Sequence, residues 1–471
     1  MFASTAFYLP ASHTKNHHQR LKNHKDWVDF FLDEQVSNTI KTEKSEQFLI
    51  QYMNEIHTDQ VNWLDQPHLV EAHLLEQHHK VCQSFQDYVA RRKTDAPREY
   101  FPTVSHAFEF LYQVAPVKMV DGAWLYSTLQ QPQNESLRNL IYIYLEELGM
   151  GHPRANHVTM YQDLLQRYEL TDFSEQLDDA YYEQATVQLA LAYAPSEWMP
   201  LVIGFNLGYE QLPLHLLITN YELAELGIDP HYFNVHITID NAHNGHAQKS
   251  LKAYLENFAM AKDQARYLEL VKIGYLMNDI GKSSTQIIQE LNIEKLALKV
   301  FKNKALIGQY IHNQKCQFSG KSINEWLSDP NQIQDFLKVM MDKGWIIQGQ
   351  PVEQSRFWNL IDQAEGKMFG VFNATEKQMI KDWIQGSQHT RRLSASSVAN
   401  EASLKDRSPH TQQSIASIKH RLNLCETTQE KIELLGPYIA PHLHYKDVGL
   451  WATQQLSRLL FPFQTQAMRY H

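Results

Sequence analysis

Along most of this chain apolar residues recur at the three- and four-residue spacing of one face of an α-helix, and alternating, strand-like runs are scarce. Leu137, Leu140, Ile141, Tyr144, Leu145 and Leu148 form one such face. The pattern predicts helices over 45–65, 68–92, 104–115, 122–130, 134–148, 154–168, 175–194, 198–226, 230–258 and 262–279. The stretch 94–102, with Pro97 and Pro102, reads as a connection. A mainly α fold is therefore expected.

Changes in pattern divide the chain. Residues 1–44 are polar, and His13, His17, His18 and His24 among them read as solvated. A helical bundle is expected over 45–281. An accessory region follows over 282–385, where Ser283, Ser284 and Thr285 can cap a new helix and 376–383 is helical again. Residues 386–414 are rich in Ser, Thr, Gln and charge and read as a mobile linker, and 415–471 as a further helical segment. For the region beyond 282, covering a pocket, forming a homodimer and binding a carrier-borne substrate are all open roles.

Charge narrows the choice of partners. The 43 basic and 53 acidic residues leave a net charge of −10, which offers no general attraction to nucleic acid or anionic membranes. The segment 327–349 has the outline of a winged-helix reader but no dense basic helix, so nucleic acid is not an expected partner. No apolar run approaches the roughly 20 residues of a membrane span, and no secretory signal is evident at the start. Three scattered cysteines, Cys82, Cys316 and Cys425, suit a reducing compartment, and a cytoplasmic location is expected.

Three stretches carry candidate chemistry. In His236-Ile-Thr-Ile-Asp240-Asn-Ala-His243, helical spacing puts the two imidazoles and the carboxylate at about 0°, 40° and −20° around one axis, a ligand set used by first-row metals. His246 falls about 80° off that face and reads as a supporting or surface group. Glu210 is a lone carboxylate in the otherwise nearly uncharged segment 198–217, where Gly204, Gly208 and Pro213 suggest a bent helix, and metal ligation would neutralise it. In Glu146-Glu147-Leu-Gly149-Met-Gly151-His-Pro-Arg-Ala-Asn-His157 a helix ends, the chain reverses through glycines and a new helix opens, flanking the turn with Glu147 and His157. Taken singly, these patterns also describe a polar surface stripe, a carboxylate at a kink and an ordinary helical hairpin. Together, Glu147, His157, Glu210, His236, Asp240 and His243 supply enough ligands for two metals with a bridging carboxylate; whether Glu146 or Glu147 points inward is open.

On EELGMG-x5-H at 146–157, G-x3-G-x-E at 204–210 and YFNVHITIDNAH at 232–243, the chain resembles the haem-oxygenase-like di-iron oxidases and oxygenases, or iron-containing redox enzymes. The resemblance implies a haem-oxygenase-like bundle of about seven core helices. It also implies those six residues as ligands of two Fe(II) ions, O2 as co-substrate and a small organic substrate such as an amino acid or amine. The implied outcomes are N-oxygenation, desaturation or oxidative C–C cleavage, with an external electron donor left open. Tyr142, Tyr144, Trp198, Phe205, Tyr209, Tyr232 and Phe233 are candidate pocket rings, and Arg154 a candidate partner for a substrate carboxylate. The competing readings are a zinc-dependent hydrolase and a non-catalytic helical metal-binding or interaction scaffold.

Overall fold

The computed structural model describes residues 21–239, 245–310, 312, 315–387, 393 and 409–462. Within them the regular secondary structure is almost entirely helical, as its periodicity predicts, with one short hairpin pairing Gln317–Phe318 to Lys321–Ser322. Several predicted helices match within a few residues: Pro67–Lys93, Val104–Gln113, Arg138–Glu147, His157–Arg167 and Gln264–Leu276. Among the described residues, no helix is long and apolar enough to cross a membrane.

Other expectations need correction: the predicted helix 45–65 is the helix Asn38–Glu55 followed by a separate 3-10 stretch Thr58–Asp65, and 175–194 is an α-helix only over Glu183–Ala192. The predicted helix 198–226 is two, Met199–Tyr209 and Leu214–Leu226, because Pro213 has no amide hydrogen to continue the first. The predicted helix 230–258 is also two, His231–Ile239 and His246–Met260, and extended backbone at Gly245 (φ −83°, ψ −159°) opens the second. Finally, the polar start contains the helix His24–Leu32, whose cap Asn23 accepts from Asp26 and whose Val28 and Phe31 are buried. His24 sits 4.0 Å from Glu183 rather than free in solvent. Residues 1–20, with His13, His17 and His18, and most of the expected linker lie outside the described residues; 409–414 already belong to the helix Pro409–Leu424.

The buried apolar side chains form two cores. One gathers Phe31, Leu49, Leu140, Tyr144, Leu201, Phe205 and Val271, together with Ile432, Leu435, Ile439 and Leu456 from the end of the chain. The other joins Phe101, Leu111, Tyr161, Leu223 and Phe233 to Val300, Trp358, Ile380 and Ile384. Segments distant in sequence therefore complete each core.

One carboxyl stitches the region beyond 282 to the second core. Glu109, buried in the Val104–Gln113 helix, accepts the Asn292 N–H at 2.9 Å at the start of the Ile293–Gly308 helix and the Gln113 amide at 3.2 Å. Burial pushes its pKa up to about 7, only partly offset by those hydrogen bonds and by Lys299 and Lys295. The fold therefore prefers the protonated acid, and its contribution is full below the ordinary carboxyl range and lost as pH rises toward 7. Glu109→Gln should match the parent near pH 4 and exceed it in stability at pH 8 by up to about 3 kcal/mol, as measured by urea midpoints across pH.

Candidate metal centre

The site lies where the two cores meet. Glu147 is the last residue of the Arg138–Glu147 helix, beyond which Gly149, Met150 and Gly151 all take positive φ (63°, 50° and 85°). This left-handed run turns the chain tightly enough for Asn156 to cap the next helix, accepting from Thr159 N–H, and to start it at His157. From the other side, Gly122 (φ 76°) lies against Glu147, where a Cβ on Gly122 would sit 2.6 Å from that of Glu147. Only glycine lets the Asp121 segment approach so closely.

Two groups of ligand-type atoms result, each within 4.8 Å: Asp121, Glu147, His157 and His236, and Glu147, Glu210 and His246. All six residues are buried. Glu147 belongs to both groups. His157 and His236 come from helices of the second core, whereas the helices that lead to Glu210 and carry His246 pack in the first.

Supporting contacts orient each donor. His236 Nδ1 donates to the Tyr232 carbonyl at 2.8 Å, which turns Nε2 toward Asp121 Oδ2 at 3.0 Å. Asp121 also accepts from the Tyr232 hydroxyl and lies 3.6 Å from His157 Nδ1. His246 Nε2 faces Glu146 Oε2 at 3.1 Å, so its Nδ1 faces Glu210 at 3.1 Å and Glu147 at 3.3 Å. Glu146 thus backs His246 from outside while Glu147 points into both groups, a division of labour that sequence reasoning left open. A relay from Trp124 through Asn206 to Ser250, and from Ser250 to the His246 carbonyl, ties that histidine to the Met199–Tyr209 helix. Near the chain end, His444 Nδ1 meets the Asn156 amide at 3.0 Å and braces the loop before His157.

The electrostatics call for positive charge. Burial resists ionisation of Asp121 and Glu147, yet both are held below the usual carboxylate range, Asp121 by Lys118, His157 and His236, and Glu147 by His157 and His246. Burial likewise resists charging His157 and His246, but the surrounding carboxylates raise both. Glu210 is raised, chiefly by burial and further by Glu147 and Asp121. Its Oε1 is buried with no hydrogen-bond partner among the described residues. An orphaned buried carboxylate oxygen, beside imidazoles drawn toward protonation, is what a metal cation would satisfy, and mixed His and carboxylate donors suit a first-row metal.

Of the six predicted ligands, the structure brings together Glu147, His157, Glu210 and His236; Asp240 and His243 lie outside the described residues. It adds Asp121, which was not foreseen, and His246, which the sequence placed off the ligand face. Of the candidate pocket rings, Tyr209 and Tyr232 adjoin Asp121, whereas Phe205 is core and Tyr144 is core with its hydroxyl on the Ile439 carbonyl. Arg154 lies in the Pro153–Ala155 turn.

No curated protein and no solved structure matches the chain. Residues 108–277, which contain Asp121, Glu147, His157, Glu210, His236 and His246, match the model of a family described as iron-containing redox enzyme, so the family resemblance read from the sequence holds over that stretch.

Proposed function

We propose that the protein is a non-haem iron oxidoreductase that holds two Fe(II) ions and uses O2 to oxidise a small organic substrate. The observation that carries this reading is the double use of Glu147: two buried groups of His and carboxylate donors share one side chain, an arrangement that suits a carboxylate-bridged pair of metals. In the proposal Asp121, Glu147, His157 and His236 hold one ion, and Glu147, Glu210 and His246 the other. The bound irons would supply the electron transfer to O2 that protein side chains cannot. Carboxylates suit such a site because they can bridge two cations and change denticity as charge changes.

The chain's own contribution is positioning and exclusion of water. Tyr232 and Glu146 fix which imidazole nitrogen faces inward, and the cores on either side keep the donors dry. Tyr209 and Tyr232 set aromatic surface beside Asp121, with Lys118 Nζ 5.9 and 5.7 Å from their ring centres. An amino acid or amine is the favoured substrate class, by analogy with similar enzymes, and an external electron donor belongs to the proposal.

Anaerobic titration with Fe(II) tests it. Saturation is expected near two ions per chain, followed on mixing with O2 by a transient visible band whose lifetime depends on added amino acids or amines. Saturation at one ion, no iron uptake, or tight zinc without reaction with O2 would overturn the reading.

A further inference from the structure

Outside the metal centre, basic side chains gather at one pocket, in a chain whose net charge is −10. A cavity of about 360 Å³ is walled by Arg138, Tyr142, Lys249, Lys252 and Phe461. The rings of Tyr142 and Phe461 meet edge to face at 4.9 Å. Each carries a cation: Arg138 lies 5.0 Å from the centre of Phe461, and Lys249 Nζ 4.9 Å from that of Tyr142.

The carboxylates near these cations leave them incompletely neutralised. Lys252 reaches Glu256 only at 3.7 Å and Arg138 reaches Glu135 at 3.7 Å, both pairs in solvent, where such contacts hold little energy. Lys249 is 3.3 Å from Glu146, whose same oxygen, Oε2, also meets His246. The three cations thus face one carboxylate that is shared with His246 and two exposed ones, each 3.7 Å away, outside the pocket lining. Arg138 already donates from Nη2 to the Leu460 carbonyl at 2.9 Å; its remaining N–H groups and the two ammonium groups match the several oxygens of a phosphate better than the single charge of a carboxylate. The volume exceeds that of a bare phosphate, and the two rings offer apolar wall to whatever bears it.

We propose that this pocket binds the phosphate group of a small phosphate-bearing organic molecule. Glu146 alone would separate the pocket's Lys249 from the metal centre's His246, because Lys249, Glu146 and His246 form a continuous chain of contacts. Drawing Lys249 toward the phosphate loosens its hold on Glu146, the group that orients His246. The binding claim is independent of the iron reading; the link to the centre depends on it.

Calorimetry on the full chain, with phenyl phosphate as the probe and phenol and inorganic phosphate as comparators, tests the binding claim. Phenyl phosphate should bind, weaken with added salt and exceed inorganic phosphate in affinity, and phenol should give no heat. Lys252→Glu, on an exposed side chain outside the centre, should weaken phenyl phosphate at least ~10-fold, since it both removes and reverses a contact charge. Its circular dichroism and iron uptake should be unchanged. Absence of binding at millimolar phenyl phosphate, equal affinity for inorganic phosphate, or full affinity in both Lys252→Glu and Arg138→Gln would overturn the proposal. Phosphate binding without iron uptake would instead count against the iron reading alone.

Discussion

Glu147→Gln should abolish tight iron binding at both positions, taking uptake from about two ions per chain to near none. The side chain is common to both groups of donors, and the amide keeps its shape but loses the charge that two cations would share. His246→Ala and His236→Ala touch one group each and should retain about one tight ion. Glu146→Gln is the informative contrast. This neighbour stands behind His246, so its loss should weaken one position by the ~10- to 100-fold typical of a supporting partner, without eliminating it. Iron content after desalting, together with anaerobic Fe(II) titration of each variant, reads out the pattern. A Glu147→Gln protein that still holds one iron tightly would show that the two groups do not depend on a common carboxylate. Helical content by circular dichroism should be preserved throughout, because the substituted side chains sit in a polar cluster between two cores built from apolar side chains that the substitutions leave intact.

The helices were legible because most of them bury one face, and burial imprints a period on the sequence. Their interruptions are signalled only where a residue forbids continuation, as Pro213 does, and even there the sequence reads as a bend in one helix where the structure has a break. Gly245 forbids nothing by its chemistry, and the helical arithmetic that put His246 off the ligand face assumed one unbroken helix across it. Asp121 is a different kind of miss. Between Val114 and Leu129 it and Lys118 are the only charged residues, so the argument that singled out Glu210, a lone carboxylate in an apolar run, applies equally to Asp121. The adjoining Gly122 was a further signal. What no local pattern could reveal is that residues 287–384 and 418–461 complete the two cores, since that pairing depends on contacts between segments hundreds of residues apart.

Close backbone packing of two helices sets the second large effect, on stability. Gly204 in the Met199–Tyr209 helix and Gly274 in the Gln264–Leu276 helix let the two backbones touch: a Cβ on Gly204 would lie 2.0 Å from the Val271 carbonyl oxygen, and one on Gly274 would lie 2.0 Å from that of Leu201. The obstacle is main chain on both sides, so no rotamer change relieves it and the helices must separate by about an ångström or more. Gly204→Ala should therefore cost more than the ~1–3 kcal/mol of an extra methylene in a packed core, although alanine is the better helix former by about 1 kcal/mol. Gly436→Ala is the comparison, at a helical position with nothing within 4 Å of the added carbon; because it precedes Pro437, where a side chain in the α region is disfavoured, it should cost something, but clearly less than Gly204→Ala. Urea midpoints measure both. The Met199–Tyr209 helix delivers Glu210, and Asn206 within it holds the Ser250 hydroxyl beside the His246 carbonyl. Gly204→Ala should therefore also weaken iron at the Glu210 and His246 position more than at the position formed with His157 and His236. Equal weakening at both would mean that the close packing supports the bundle as a whole rather than that half of the site.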